Sequence, residues 1–397
     1  MVNNNKIKVK RIGIDARFYG PIGKGLGRYI QEIVDNVLKI DRANEYVIFL
    51  GRENFDEFVF PEPRVKKVMV KARWYSLAEQ LEMPFLIWRE KVNLMHFPHF
   101  NVPLLAPGKF VVTIHDLILT KFPTRRATTL SPWFYRLKNL AYQIVISRAV
   151  KRAKKVLAVS EFTKNDVVKN FKIKPEKVIV TYEGVANLAR GKDSLFVGKI
   201  DDRKTLLSYN IMENFILYVG NAYPHKNLES LLEVFAQLRQ KRPDLRLVLV
   251  GREDYFYRRL KEIAARLNLW DENIPESPVV FTGYVPDAEL DVLYRRALLY
   301  VFPSLYEGFG LPALEAMAKG CPVTSSDRAS LPEILGEAAL YFNPTDPADI
   351  FLKMDKLAGD QNLREVLIKK GHQQVKKYNW WECARQTWEA YREVIGK

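Results

Sequence analysis

The chain has 397 residues, 48% of them apolar and 27% charged, a balance that suits folded domains rather than a disordered or fibrous polymer. That length suggests two domains, each able to bury its own core. Its 62 Lys and Arg against 46 Asp and Glu leave a net charge of +16, which favours an anionic partner such as a phosphate-bearing substrate, acidic lipid or nucleic acid. Cys321 and Cys383 make no CxxC pair and the five histidines no HExxH, so neither a disulfide framework nor a metal site is indicated. Met1 to Lys10 is polar and basic, without the apolar core of a signal peptide, and no run approaches the ~18 apolar residues of a spanning helix. The expectation is a cytoplasmic protein.

Short apolar runs alternate with longer helical patterns, the signature of βαβ units and parallel sheets. In the first half, strands are predicted at Arg11–Ala16, Tyr46–Leu50, Val92–Phe97, Phe110–His115, Lys155–Ser160 and Lys177–Thr181, with helices such as Gly27–Ile40 and Trp133–Arg152 between them. From Gly184 to Glu213 the pattern lapses into a polar stretch that reads as a linker with room for one helical turn. It restarts with strands at Phe215–Gly220, Arg246–Gly251, Val279–Gly283, Leu298–Pro303, Pro322–Ser325 and Ala339–Phe342. Helices are predicted at Leu228–Gln240, Tyr255–Leu267, Asp287–Arg296 and Leu311–Lys319. The tail from Leu363 is helical and ends in aromatics (Trp380, Trp381, Trp388, Tyr391), and a tail that outlasts its own sheet is expected to pack back onto the first domain. The reading is two α/β domains, 1–185 and 214–377, joined by 186–213, with helix 378–397 returning to the first. Ligands of such sheets bind at the C-terminal edges of the strands, so a cleft between two such domains is the expected site.

The densest chemical signal runs from Pro303 to Gly320. A strand enters a glycine loop, Pro312 suits the first turn of a helix and Gly320 its end. Loop glycines allow close backbone approach, and the helix N-terminus offers N–H groups to a phosphate. Glu307 in the loop and Glu315 in the helix are misplaced for an anion, so they suit hydroxyl groups of a sugar or ribose. These residues resemble the E-x7-E motif of retaining glycosyltransferases of family 4, a GT-B fold of two Rossmann-like doubly wound domains. The resemblance implies that Glu307 contacts the transferred sugar, Glu315 the ribose, and Gly308, Phe309, Gly310 and Leu311 the phosphates and sugar.

The likeness continues in Tyr218–Leu228, where it implies Lys226 on the donor diphosphate, a cation suited to a leaving group. Many relatives carry Arg where this chain has Asn221 and His225. Phe281–Leu290 resembles the segment lining the nucleobase, implying contacts from Tyr284 and Val285, while Asp287 suits a helix N-cap on its own account. In the first half, Ile12–Arg17 precedes alternating glycines Gly23, Gly25 and Gly27, a phosphate-cradle layout without the GxGxxG order of a dinucleotide site. The resemblance sets the Gly25 loop against the diphosphate and acceptor. It sets His115 and Asp116, at a strand end, in the active site. His96 and His99 are expected as loop or acceptor-side residues.

Between Leu117 and Ser160 there is no acidic residue but ten Lys or Arg, with Trp133, Phe134 and Tyr135 among them. A basic helix carrying aromatics suits an anionic membrane surface, with Arg125, Arg126, Trp133, Arg136 and Lys138 as membrane- or acceptor-side residues and the protein peripheral on the inner face of the plasma membrane. No nucleic-acid motif accompanies the charge, so no nucleic-acid partner is expected.

The combined expectation is a metal-independent, cofactor-free hexosyltransferase. Gly13–Arg17 and Thr113–Leu117 resemble bacterial mannosyl- and rhamnosyl-type transferases of polysaccharide assembly, which implies GDP-mannose, or else a UDP-sugar, as donor and a glycan or lipid-linked acceptor in cell-surface polysaccharide assembly. The rival readings are another GT-B enzyme such as a nucleotide-sugar epimerase, and a non-catalytic basic membrane-binding protein.

Overall fold

The computed structural model describes residues 9–21, 24–122, 132–185, 201–274 and 276–396, without the side chains of 24 and 132–135. It divides into two units. The first takes its described residues from 9–122, 132–184 and 379–396, and the second from 185 and 201–378.

The first unit is built on β1 (Arg11–Asp15), β2 (Glu45–Leu50), β3 (Val65–Met69), β4 (Leu94–Phe97), β5 (Lys109–Ile114), β6 (Lys155–Ala158) and β7 (Val178–Val180). Their order is β3-β2-β1-β4-β5-β6-β7 and every pairing is parallel. Strands such as β2 and β4 are buried on both faces because helices cover both sides of a parallel sheet. The edge strand β3 departs from this: its Lys66 and Lys67 leave only Val68 buried. Helix Lys24–Ile40 turns Tyr29, Ile30, Ile33, Val34, Val37 and Leu38 into the core at helical spacing. Against it lies the C-terminal helix Trp380–Ile395, whose Trp380, Cys383, Ala384, Thr387, Tyr391 and Val394 form the matching buried stripe. Asn379 caps that helix by accepting from Trp381 N at 2.7 Å.

The second unit contains β8 (Phe215–Val219), β9 (Arg246–Val250), β10 (Val279–Gly283), β11 (Leu299–Phe302), β12 (Val323–Ser326) and β13 (Ala339–Phe342), in the order β10-β9-β8-β11-β12-β13, again all parallel. Both sheets therefore reverse strand order once, between β1 and β4 and between β8 and β11, and these are the switch points where doubly wound sheets bind ligands. The expected linker needs correcting within its described part. Asp201 caps a helix, Asp202–Ser208, and Arg295 grips Asp202 through two bonds of 2.9 Å, so residues 201–213 belong to the second unit. The sequence pattern concealed this because the helix spans only two turns and is held by charged side chains. The rest of the predicted linker, 186–200, lies outside the described residues. Asp287 is the first residue of its helix rather than the cap, which is Pro286.

Candidate active site

In the second unit, β11 ends at Phe302 and the chain turns through Ser304–Gly310 into helix Leu311–Ala318. Gly310 has φ +108, so the backbone requires glycine, and a Cβ there would stand 2.9 Å from Leu331 Cδ2 and force that side chain to shift. The loop is tied from beneath by the buried Ser330, whose hydroxyl faces the carbonyls of Glu307 (3.0 Å) and Phe309 (3.3 Å). Phe309 is buried, its ring edge-on to Tyr378 at 5.4 Å. A loop fixed in this way delivers the N-terminus of the Leu311 helix, the positive end of its dipole, at the sheet's C-terminal edge.

Two carboxylates belong to this corner. Glu307 receives Lys226 Nζ on Oε1 at 2.5 Å, with the side chains only 10% and 13% exposed. The Lys226 ammonium also lies 5.6 Å from the centroid of the Phe302 ring. It follows β8 by way of the short turn Pro224–Lys226, which Asn227 closes in the left-handed conformation at φ 58. Next to it His225 is buried, and its carbonyl accepts from Leu305 N at 2.7 Å, joining the β8 and β11 loops. Burial, with Lys226 alongside, holds the His225 imidazole down to about 4, so it is neutral at pH 7. Glu315 is also buried and accepts from the Tyr294 hydroxyl at 3.3 Å. The separate roles expected for Lys226 and Glu307 thus begin from a direct ion pair.

The remaining expected donor residues divide. The Asn221 carbonyl accepts from the Tyr218 hydroxyl at 2.7 Å, which fixes the loop after β8. Tyr284, following Gly283 at the end of β10, is 71% exposed, whereas Val285 is 3% exposed and its side chain is part of the core.

In the first unit, His115 stands just past β5. Its Nε2 lies 3.0 Å from the Pro98 carbonyl, which can only accept, so Nε2 carries a proton. Its Nδ1 lies 3.1 Å from Glu183 Oε1. Burial disfavours the imidazolium, but the hydrogen bond and charge of Glu183, the Pro98 carbonyl and Asp116 outweigh it and raise the pKa. With Nδ1 held by Glu183 and Nε2 by the Pro98 carbonyl, the His115 ring is fixed in orientation and its protonated form is favoured relative to a free imidazole. Asp116 accepts from Ile118 N at 2.9 Å, opening the short helix Ile118–Lys121.

His96 is not a loop residue. It lies within β4, fully buried, between Thr113 Oγ1 (2.9 Å) and the Tyr391 hydroxyl (2.6 Å) of the C-terminal helix. His99 follows β4, partly buried against Phe100 at 4.1 Å between ring centroids. Gly25 has open space around its Cβ position, whereas a Cβ on Gly27 would strike the Gly20 carbonyl oxygen at 2.1 Å, so Gly27 is the glycine that the fold itself demands. Arg125 and Arg126 lie outside the described residues, as does the Trp133 side chain, while Arg136 and Lys138 are exposed on helix Pro132–Arg152.

Sequence reasoning missed the supports. Glu183 follows β7 and the strand-edge rule could have found it. Ser330 and Tyr294 carry no local signal. Nor did the sequence reveal the buried cluster after β1, where Arg17 Nη2 bonds Asp15 at 2.7 Å and Glu79 at 2.6 Å. There Glu79 also accepts from Asn101 (2.9 Å) and Tyr75 N (2.7 Å). Among the described residues no group of three or more His, Cys, Asp or Glu could hold a metal, and no helix is long and apolar enough to cross a membrane.

Comparison with known proteins agrees with this architecture. Residues 201–374 match the family of glycosyl transferases group 1, and residues 23–186 match glycosyltransferase family 4. The chain is 27% identical over 387 residues to O-antigen chain mannosyltransferase B of Escherichia coli, covering 93% of this chain and 96% of that one. It is 31% identical over 277 residues to O-antigen chain mannosyltransferase RfbU of Salmonella typhimurium, covering 69% and 67%. Among solved structures, sucrose-phosphate synthase from Thermosynechococcus elongatus superposes with TM-score 0.74 at 20% identity, covering 97% of this chain and 99% of that one. WaaG, a glycosyltransferase involved in lipopolysaccharide biosynthesis, does so with TM-score 0.70 at 16% identity, covering 97% and 100%. The two parallel-sheet domains are thus those of the GT-B class. The chain belongs to the group 1 glycosyltransferases, with a family 4 domain as its N-terminal half.

Proposed function

We propose that the chain is a retaining hexosyltransferase that moves mannose from GDP-mannose onto a glycan or lipid-linked acceptor during cell-surface polysaccharide assembly, working against an anionic membrane. The observation that carries this is the Lys226–Glu307 pair, set beside the N-terminus of helix Leu311–Ala318 and close in sequence to buried Glu315. The O-antigen mannosyltransferases among its relatives support the choice of sugar and pathway class. UDP-sugars are the second donor class.

Glu315 accepts from the ribose hydroxyls and Glu307 from a hydroxyl of the sugar. Lys226 and the backbone from Gly308 through Leu311 take the diphosphate, and Asn221 flanks it. As the glycosidic bond breaks, negative charge gathers on the departing nucleoside diphosphate, and a fixed ammonium beside the positive end of the Leu311 helix stabilises it. Tyr284 offers an aromatic face to the base. In the first unit, the Gly25 loop leaves room for close backbone approach, and the His115 ring, held by Glu183, orients the acceptor. The test is incubation of the full chain with GDP-α-mannose and octyl α-mannoside, with the product's anomeric configuration read by NMR. An α-linked product is expected, with GDP released only when acceptor is present. A β-linked product refutes retention. Epimerised sugar formed without acceptor refutes transfer.

A further inference from the structure

Helix Glu79–Arg89 has two faces of equal apolarity but opposite fate. Met83, Leu86 and Ile87 enter the core of the first unit. On the other side, Leu77, just before the helix, and Leu81, Phe85 and Trp88 within it are 88%, 72%, 54% and 70% exposed. Their spacing of four, four and three residues stacks them into one ridge. Soluble surfaces carry scattered large apolar residues, but four in register along one short helix and the turn before it amount to a patch that a partner covers.

The ridge does not stand alone. Leu105, 68% exposed, projects from a loop clamped between this helix and helix Pro132–Arg152: Gln80 Oε1 accepts from Leu104 N at 2.8 Å, while Arg148 Nε and Arg152 Nη1 donate to Leu104 O at 2.9 and 3.0 Å. On helix Pro132–Arg152, Leu137, Leu140 and Ile144 are each at least half exposed and share one face at spacings of three and four. The same segments expose basic side chains: Arg73, Arg89 and Lys91 before, in and after the first helix, and Arg136, Lys138, Arg148 and Arg152 on the second. The acidic residues of residues 71–91 are turned away. Glu79 is buried, Glu82 accepts from the backbone of Lys71 and Ala72, and Glu90 pairs with Lys66 and Arg89.

We infer that the ridge Leu77–Leu81–Phe85–Trp88 is the seat of this protein on an anionic bilayer. Its apolar side chains enter the acyl boundary, Trp88 lies at headgroup depth, and the basic side chains of the same segments lie over lipid phosphates. The charge pattern selects this occupant: a bilayer interface is apolar within and anionic at its rim, matching an apolar ridge whose segments also expose cations. A self-associating copy would bring the same cations against each other. The inference rests on the transferase reading only for its purpose, holding the first unit at the surface where a lipid-linked acceptor resides. It extends the seat beyond the basic stretch that the sequence pointed to.

The test is co-sedimentation of the full chain with vesicles of phosphatidylcholine alone or mixed with phosphatidylglycerol. It compares wild type with Leu81→Ser/Trp88→Ser, and separately with Arg136→Gln/Lys138→Gln, and measures GDP-mannose binding on each. The expected result is preference for the anionic vesicles, partitioning reduced roughly tenfold or more in the Leu81/Trp88 variant, and lost anionic preference in the charge variant. Nucleotide-sugar binding should be retained in both. Wild-type levels of vesicle binding in the Leu81/Trp88 variant overturn the proposal, as does failure of the wild type to bind either vesicle. A concentration-dependent dimer that this variant abolishes overturns it in favour of self-association. In each of these cases retained GDP-mannose binding leaves the transferase reading standing, and loss of that binding in wild type defeats the transferase reading separately.

Discussion

Replacing Lys226 by Met removes one half of an ion pair whose side chains are only 10% and 13% exposed. The Glu307 carboxylate is left in a corner that shields it from water. Breaking a buried pair from one side costs ~3–5 kcal/mol, and the residual exposure places this case near the lower end, about 3 kcal/mol. For a domain of this size such a loss lowers the melting temperature by about 6–12 °C. Glu307→Gln is milder, about 1–2 kcal/mol, because the amide oxygen still accepts and the lysine stem can carry its charge outward. Combining both substitutions removes both charges and should cost about 2 kcal/mol, well short of the single costs added together. Urea denaturation of the four proteins gives the cycle. If the single effects add to within about 0.5 kcal/mol, the two groups are energetically independent and the pair is not what organises this corner.

Other consequences follow from the same geometry. Gly310→Ala should destabilise the second unit by about 1–3 kcal/mol and abolish nucleotide-sugar binding, since the left-handed backbone and Leu331 both oppose a Cβ; calorimetry checks both. His115→Gln should lower turnover while leaving donor affinity unchanged, because its partners Glu183 and Pro98 belong to the first unit; steady-state kinetics beside donor titration separates these effects. Burial holds His96 and His99 down to about 3 and His225 down to about 4, so all three fold neutral. The unfolded chain then binds protons below about pH 6.5 that the folded chain refuses, and stability should fall from there towards pH 4. His115, raised by Glu183, works in the opposite sense: its contribution is complete below pH 6.5 and fades above it. Urea midpoints at pH 7 and pH 5 should therefore fall on acidification, and less steeply in His96→Gln.

Much of this architecture was legible because parallel strands are continuous apolar runs. Twelve strands were anticipated within a few residues, but β3 was not, since Lys66 and Lys67 interrupt the apolar run in Val65–Met69 at the sheet edge. Helix Glu79–Arg89 was also missed: apolar residues on both of its faces erase the 3.6-residue periodicity, and the same feature leaves its outer ridge exposed. Residues carrying formal charge or glycine at strand ends, such as Glu307, Lys226, Glu315 and His115, could be picked out from motif and position. Their partners could not, because Tyr294, Ser330 and Glu183 reach the site from elements distant in sequence. His96 stands in the strand rather than a loop, and its partner Tyr391 lies 295 residues away in sequence.

The most direct test of the account is donor binding. Thermal shift of the wild type against GDP-mannose, UDP-glucose, UDP-N-acetylglucosamine, dTDP-rhamnose and the bare diphosphates should show stabilisation by the GDP class, about 2.7 kcal/mol when ligand stands at a hundredfold excess over Kd. The Glu315→Ala protein should lose that stabilisation while remaining folded. A folded wild type that no nucleotide stabilises, or a Glu315→Ala variant that responds as fully as wild type, would contradict the assignment of this corner to the donor.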